Sequence, residues 1–339
     1  MNKLNQLLLE MTDGFLLGIR YEENAKSAFW RNQWFSHFSI LKSDSSPRNL
    51  LNYYQTIDWV NNPESHQFQS VIVALENFRE HKKGTLGPNN DFDNGIFPFL
   101  RLVPLALKSY AKYGRFAGEN RIAIEEVLDY ILATHASERE QVSGLLFWRL
   151  LIAIIGRRLN QTVPLSFKER QAAVSETFHS INDYFSGYRH QNVMRYFAHL
   201  FASDLETGYE ILDAKKKPLD PRKLKAGDYC IDFITTVFTL LYFTHNGVQY
   251  MKARMSISDG IPLAQGLLGM INRLVFLMQP MMKLEENELT ILNDFAQTQH
   301  QTFMLYEQNI LQEWNFSRLN AQQFAVLMKL ENYRRGLIN

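Results

Sequence analysis

The stretch from Asp228 to Val275 constrains the fold more than any other part of the chain. It holds two apolar runs on either side of a polar turn. The first run, Ile231 to about His245, is apolar on nearly every side. A helix of that kind belongs inside a helical bundle. Met255 to Asp259 is a short polar link. The second run, about Ile261 to Phe276, carries Ala264, Gly266 and Gly269. Small side chains there open a close approach to another helix or to a ligand.

Composition supports a bundle with a substantial core. The 339 residues are 46% hydrophobic and 13% aromatic. A formal net charge of +1 leaves no field of one sign to steer the chain onto nucleic acid or an anionic membrane. One cysteine, Cys230, excludes an internal disulfide and reads as a small buried residue. The amphipathic N-terminus lacks the pattern of a signal peptide. The apolar runs are too short or too interrupted to span a bilayer. The expectation is a cytoplasmic protein.

Read in order, Asn2 to about Ile19 predicts a helix with Leu4, Leu7, Leu8 and Met11 on one face. Ala25 to Trp59 is rich in aromatics: Phe29, Trp30, Trp34, Phe35, Phe38, Tyr53, Tyr54 and Trp59. These read as core, with stacking on a base or ribose as the alternative. Ser43 to Asn49 reads as a dividing loop. Asn62 to Ser65 are helix-start residues, Val71, Leu75 and Phe78 form an apolar face, and Gly84 is a stop. Asp91 and Asp93 lie in a loop rich in Asn, Asp and Gly, where such residues are turn formers. A catalytic pair would have to face each other across a bond. Thr134 to Glu138 is a start signal, followed by an apolar run from Leu145 to Ile155. Ser166 to Phe201 suggests two further helices. Ala214 to Gly227 is a basic, proline-broken linker, read as a solvated loop or a face for an acidic partner. Leu284 to Leu311 and Asn320 to Tyr333 read as C-terminal helices.

Several of these segments resemble, in order, those of the ADP-ribosylglycohydrolases, the family of dinitrogenase-reductase-activating glycohydrolase and the ADP-ribosyl-arginine and ADP-ribosyl-serine hydrolases. IPLAQGLLGMI is similar to the family's last core helix. VIVALENFRE fits the helix after its Thr-Asp-Asp-Thr motif. Asn94, Gly95, Arg101, Pro104 and Leu105 match its Gly-Asn-Gly loop and following helix. Thr134 and His135 fall on its Thr-His pair, with His135 read as a hydrogen-bonding residue at a helix terminus. The resemblance spans about Met11 to Val275. It implies an all-α, single-domain orthogonal bundle with a cleft at the helix termini, over residues 1–280. Residues 281–339 would be a helical extension packed on that domain.

In the family, two turns supply carboxylates to a pair of magnesium ions. Here one turn falls on Ser65, His66, Gln67 and Phe68, and the other on Ser256, Ile257, Ser258 and Asp259. Magnesium asks for hard, anionic oxygen ligands, so no metal and no cofactor are expected. Glu22 or Glu23 could stand where the family has a glutamate. The implied ligand cleft comprises Ser65, His66, Gln67, Asn94, Gly95, Ser256, Ser258 and Asp259.

The resemblance therefore implies a pseudo-enzyme that binds a protein partner or an ADP-ribose-like ligand without hydrolysis. One form is an inhibitor or immunity protein of an ADP-ribosylating toxin. The alternative is an active, magnesium-dependent ADP-ribosyl hydrolase acting on N- or O-glycosyl bonds through Glu22, Glu23, Asp91, Asp93 and Asp259. Neither reading involves nucleic acid or a membrane.

Overall fold

Helix α7, Glu138–Asn160, is the centre of the molecule. Ser137 caps its start. The Ser137 hydroxyl accepts from the Glu140 amide at 3.3 Å and donates to the Glu140 carboxylate at 3.4 Å. This Ser-x-x-Glu cap satisfies the Glu140 amide, one of the donors that the first turn would otherwise leave bare. From Val142 to Gly156 every residue of α7 is buried. A helix without a solvent face must be surrounded, and the helices Phe97–Tyr113, Arg121–Leu132, Phe167–Ser186 and Cys230–Phe243 pack around it.

The structure is a computed structural model that describes residues 3–19, 25–42, 46–62, 68–80, 86–89, 95–161, 163–186, 197, 227–250, 252, 261–277 and 282–313. Its elements are α1 (Lys3–Gly18), α2 (Ala25–Ile40), α3 (Pro47–Tyr54), α4 (Gln69–Arg79), α5 (Phe97–Tyr113), a 3-10 turn (Gly114–Glu119), α6 (Arg121–Leu132), α7, α8 (Phe167–Ser186), α9 (Cys230–Phe243), α10 (Pro262–Phe276) and α11 (Glu286–Glu313). No strand forms among the described residues. Gly95 and Tyr229 make an isolated antiparallel bridge. The fold is all-α and single-domain, with one hydrophobic core running from Leu7 to Ala296. No helix among the described residues is long and apolar enough to cross a membrane.

The apolar run after Asp228 becomes α9. Of the buried threonines here, Thr239 donates to the Thr235 carbonyl and Thr244, just past the helix, to the Leu240 carbonyl. The small residues of α10 serve helix packing. Gly14 and Gly18 on α1 lie against Gln265, Gly266 and Gly269 on α10. A Cβ on Gly14 would sit 2.5 Å from the Gly269 carbonyl oxygen. One on Gly266 would sit 2.6 Å from the Phe15 ring. Of the two partners left open by the sequence, a helix or a ligand, α10 takes the helix.

Two boundaries differ from the sequence expectation. The loop expected over Ser43 to Asn49 gives way at Pro47, where α3 starts. Ser46 accepts from the Asn49 amide and Pro47 takes a first-turn position that has no use for its missing N–H. The helix expected from Asn62 begins at Gln69, and Asn61 and Asn62 lie in a bend before it. Val71 and Leu75 face the core as expected, while Phe78 is half-buried. Residues 187–196, the basic linker up to 226 and the helix expected over Asn320 to Tyr333 lie outside the described residues.

Helix α11, the last element among the described residues, is built into the bundle. Phe295 meets Phe38 edge-on at 5.0 Å and Phe303 stacks on Tyr110. Glu288 closes a buried, two-pronged ion pair with Arg31 of α2. Two more buried pairs tie α1 to the core: Glu10 to Arg158 at 2.8 Å and Asp13 to Arg273 at 2.5 Å.

Candidate functional site

One end of the bundle gathers the ends of several helices, and contacts between neighbours close them into a ring. The Ser27 hydroxyl of α2 donates to the Ile19 carbonyl at the end of α1. Gly18 lies against Gln265 and Gly266 in the first turns of α10. A Cβ on Gly227 would meet Ile261, just before α10. Tyr229, which begins α9, pairs through its backbone with Gly95, just before α5. Phe97 of α5 packs on Phe68 at the start of α4, with ring centroids 5.2 Å apart. Phe68 packs in turn on Phe29 and Trp30 of α2. In the sequence, ring residues Ile19, Phe68, Gly95 and Ile261 adjoin the four stretches that carry the sequence candidates, 20–24, 63–67, 90–94 and 253–260.

Those candidates themselves lie outside the described residues: Glu22, Glu23, Ser65, His66, Gln67, Asp91, Asp93, Asn94, Ser256, Ser258 and Asp259. Gly95 is described. Its backbone is engaged with Tyr229, and among the described residues a Cβ there would find only the Asp228 oxygen at 3.9 Å. Phe68, the last position of the first turn, is fully buried among Trp30, Trp59 and Phe97. Most of the aromatics from Phe29 to Trp59 are core in the same way.

Beneath the ring lies a buried polar network centred on Arg101 of α5. The Arg101 guanidinium is fully buried. It donates to the Thr134 hydroxyl at 2.6 Å, the Ile131 carbonyl at 3.3 Å and the Tyr54 hydroxyl at 3.5 Å. All three acceptors are neutral. Burial pushes the Tyr54 phenol up to about 12, against the opposing pull of Arg101.

Two hydrogen-bonded arms leave this centre, and their proton positions follow from what each atom can do. In the first, His37 Nδ1 is 2.6 Å from the Gln33 carbonyl, which only accepts. Nδ1 therefore carries the proton, and His37 Nε2 accepts from Tyr54 at 2.8 Å. In the second, Thr134 Oγ1 accepts from Arg101 and has one proton to give. It gives it to His135 Nδ1 at 2.7 Å. The remaining ring proton sits on Nε2, facing the Glu140 carboxylate at 3.6 Å, an electrostatic contact too long for a hydrogen bond. The opposite tautomer would aim a lone pair at that carboxylate.

Both histidines are held neutral. Burial pushes His37 down to about 3, with the Arg101 charge adding to it against the help of the Gln33 carbonyl. Burial and then Arg101 lower His135 well below its ordinary value. His135 is therefore a hydrogen-bonding residue before a helix terminus, as its position in the sequence predicts. Cys230, fully buried at the start of α9, has its thiol pushed up by burial and by Glu140. It is a packed, unreactive residue.

Arg101, Thr134 and His135 stand out in the sequence by resemblance, without partners for Arg101; Tyr54 reads only as one of the core aromatics, and His37 and Glu140 do not stand out. The Ser137-to-Glu140 spacing was a usable signal for Glu140. Nothing local in the sequence announces that α2, α3, α5 and the α6–α7 corner meet at one guanidinium. No family model matches the chain, and no curated protein matches it.

Proposed function

We propose that this protein is a catalytically degenerate ADP-ribosylglycohydrolase-like binding protein. In this reading the ring of helix ends is its binding face, and it takes an ADP-ribose-like ligand or a protein partner without metal-dependent hydrolysis. Occluding an ADP-ribosylating toxin is one form such binding would take. The observation that carries the reading is Phe68. It occupies the last position of the turn that resembles the family's first metal-binding motif, and its ring is fully buried in the aromatic core. A benzyl side chain offers a dication nothing, and the preceding Ser65, His66 and Gln67 offer no carboxylate. A fold that keeps its scaffold and changes its site keeps a surface available for binding.

Titration calorimetry with ADP-ribose, run with magnesium and with a chelator, tests this. The expected result is binding whose affinity is the same in both. An absence of heat in both moves the function to a protein partner on the same face. Magnesium-dependent binding, or magnesium-dependent release of ADP-ribose from a modified protein, overturns the reading.

A further inference from the structure

The second arm of the Arg101 network ends under a strap of chain. Residues 86–89 cross the corner between α6 and α7, and two backbone bonds fasten them there. The Gly87 amide donates to the Leu132 carbonyl and the Ala136 amide to the Pro88 carbonyl, both at 3.1 Å. The strap lies directly on the Thr134–His135 backbone, since a Cβ on Gly87 would collide with the His135 nitrogen. The corner is held from below by Arg101, which binds both Thr134 and the Ile131 carbonyl.

We propose that Arg101, Thr134, His135 and Glu140 form a proton-ordered catch that fastens this strap to the α6–α7 corner and releases it when His135 takes a second proton. The chain of donors runs one way, from Arg101 to Thr134 to His135 Nδ1. A proton on Nδ1 turns that acceptor into a donor. The Thr134 hydroxyl proton then has no acceptor, and an imidazolium stands beside a buried guanidinium. A buried donor without a partner and a like charge nearby both work against the closed corner.

The groups around His135 act as follows. Arg101 from α5 opposes its protonation and the Glu140 carboxylate from α7 favours it. Tyr54 from α3, Cys230 from α9 and His37 from α2 stand neutral nearby. Burial, and then Arg101, hold His135 well below its ordinary value. The open corner, with His135 in water, titrates near 6.5. Its population relative to the closed one therefore rises by up to about tenfold per pH unit below that value. This inference stands on described residues and does not depend on the ligand proposed above.

Histidine nitrogen NMR and amide hydrogen exchange on the full chain test it. At neutral pH His135 is expected as the Nε2–H tautomer. Exchange at the Gly87 and Ala136 amides, corrected for its intrinsic pH dependence, is expected to speed up as pH falls from 6.5 towards 5, while the Met270 amide inside α10 stays protected. Thr134→Val is expected to open the same two amides at neutral pH, and Thr134→Ser to keep them closed. Should Thr134→Val not fold, the wild-type pH series decides alone. An Nδ1–H tautomer overturns the proposal. So does exchange at Gly87 and Ala136 that follows global unfolding at every pH.

Discussion

His37 and His135 show how much a single buried side chain can set. Each is neutral because burial penalises its charged form and because the Arg101 charge opposes it. The unfolded chain takes a proton on each near pH 6.5, and the folded chain does not until far lower. The folded pKa lies below the unfolded one, so stability is full above pH 6.5 and is lost as pH falls. The slope is about 1.4 kcal/mol per pH unit for each histidine. For His37 the loss levels off near its folded value of about 3. Urea denaturation at pH 7, 6 and 5 should show the midpoint falling, with the steepest loss below 6. A midpoint that holds steady over that range would remove both histidines from the neutral state assigned to them.

At the scale of elements, the contact between α1 and α10 rests on missing side chains. Gly266 faces Phe15, whose ring is itself stacked on Trp34 with centroids 4.3 Å apart. Phe15 has nowhere to move. Gly266→Ala is expected to destabilise the protein by about 1–3 kcal/mol through overpacking. Gly18→Ala, whose Cβ would meet the backbone at Gln265 rather than a side chain, is expected to be at least as damaging. Gly95→Ala is the control. Among the described residues a Cβ there meets nothing closer than 3.9 Å, and the change should shift stability by less than about 0.5 kcal/mol. Equilibrium unfolding of the three variants checks the order, and a Gly95 variant as unstable as the Gly266 variant would contradict this account. The glycines of α10 were legible in the sequence as small positions. Their partner was not, because α1 lies about 250 residues earlier in the chain.

At the scale of the whole molecule, α11 is part of the fold. Arg31 and Glu288 are buried together, and Glu288 also accepts from the Glu285 amide at the start of α11. Removing one partner leaves an uncompensated buried charge. Arg31→Met is therefore expected to lose about 3–5 kcal/mol, and Arg31→Met with Glu288→Leu to recover most of it. A double-mutant cycle on thermal unfolding reads this directly. If the single variant costs no more than a surface pair would, α11 is a loosely attached extension. For the proposed site, the resemblance points to segments and not to what lies beside them. The ring that anchors them depends on contacts such as Gly95 with Tyr229 and Phe68 with Phe97, which join distant parts of the chain.

The sequence alone determined that the chain is helical and where several of its helices run, since apolar spacing, caps and prolines act within a few residues of one another, though it misplaced the starts of α3 and α4. It also determined which residues had to be buried, through runs such as Leu145 to Ile155 that have no polar face. Only the tertiary structure decided what the small residues of α10 touch, where the guanidinium of Arg101 sits and which proton each histidine keeps. Those properties depend on burial and on partners far away in sequence, and neither is written in a local pattern of residues.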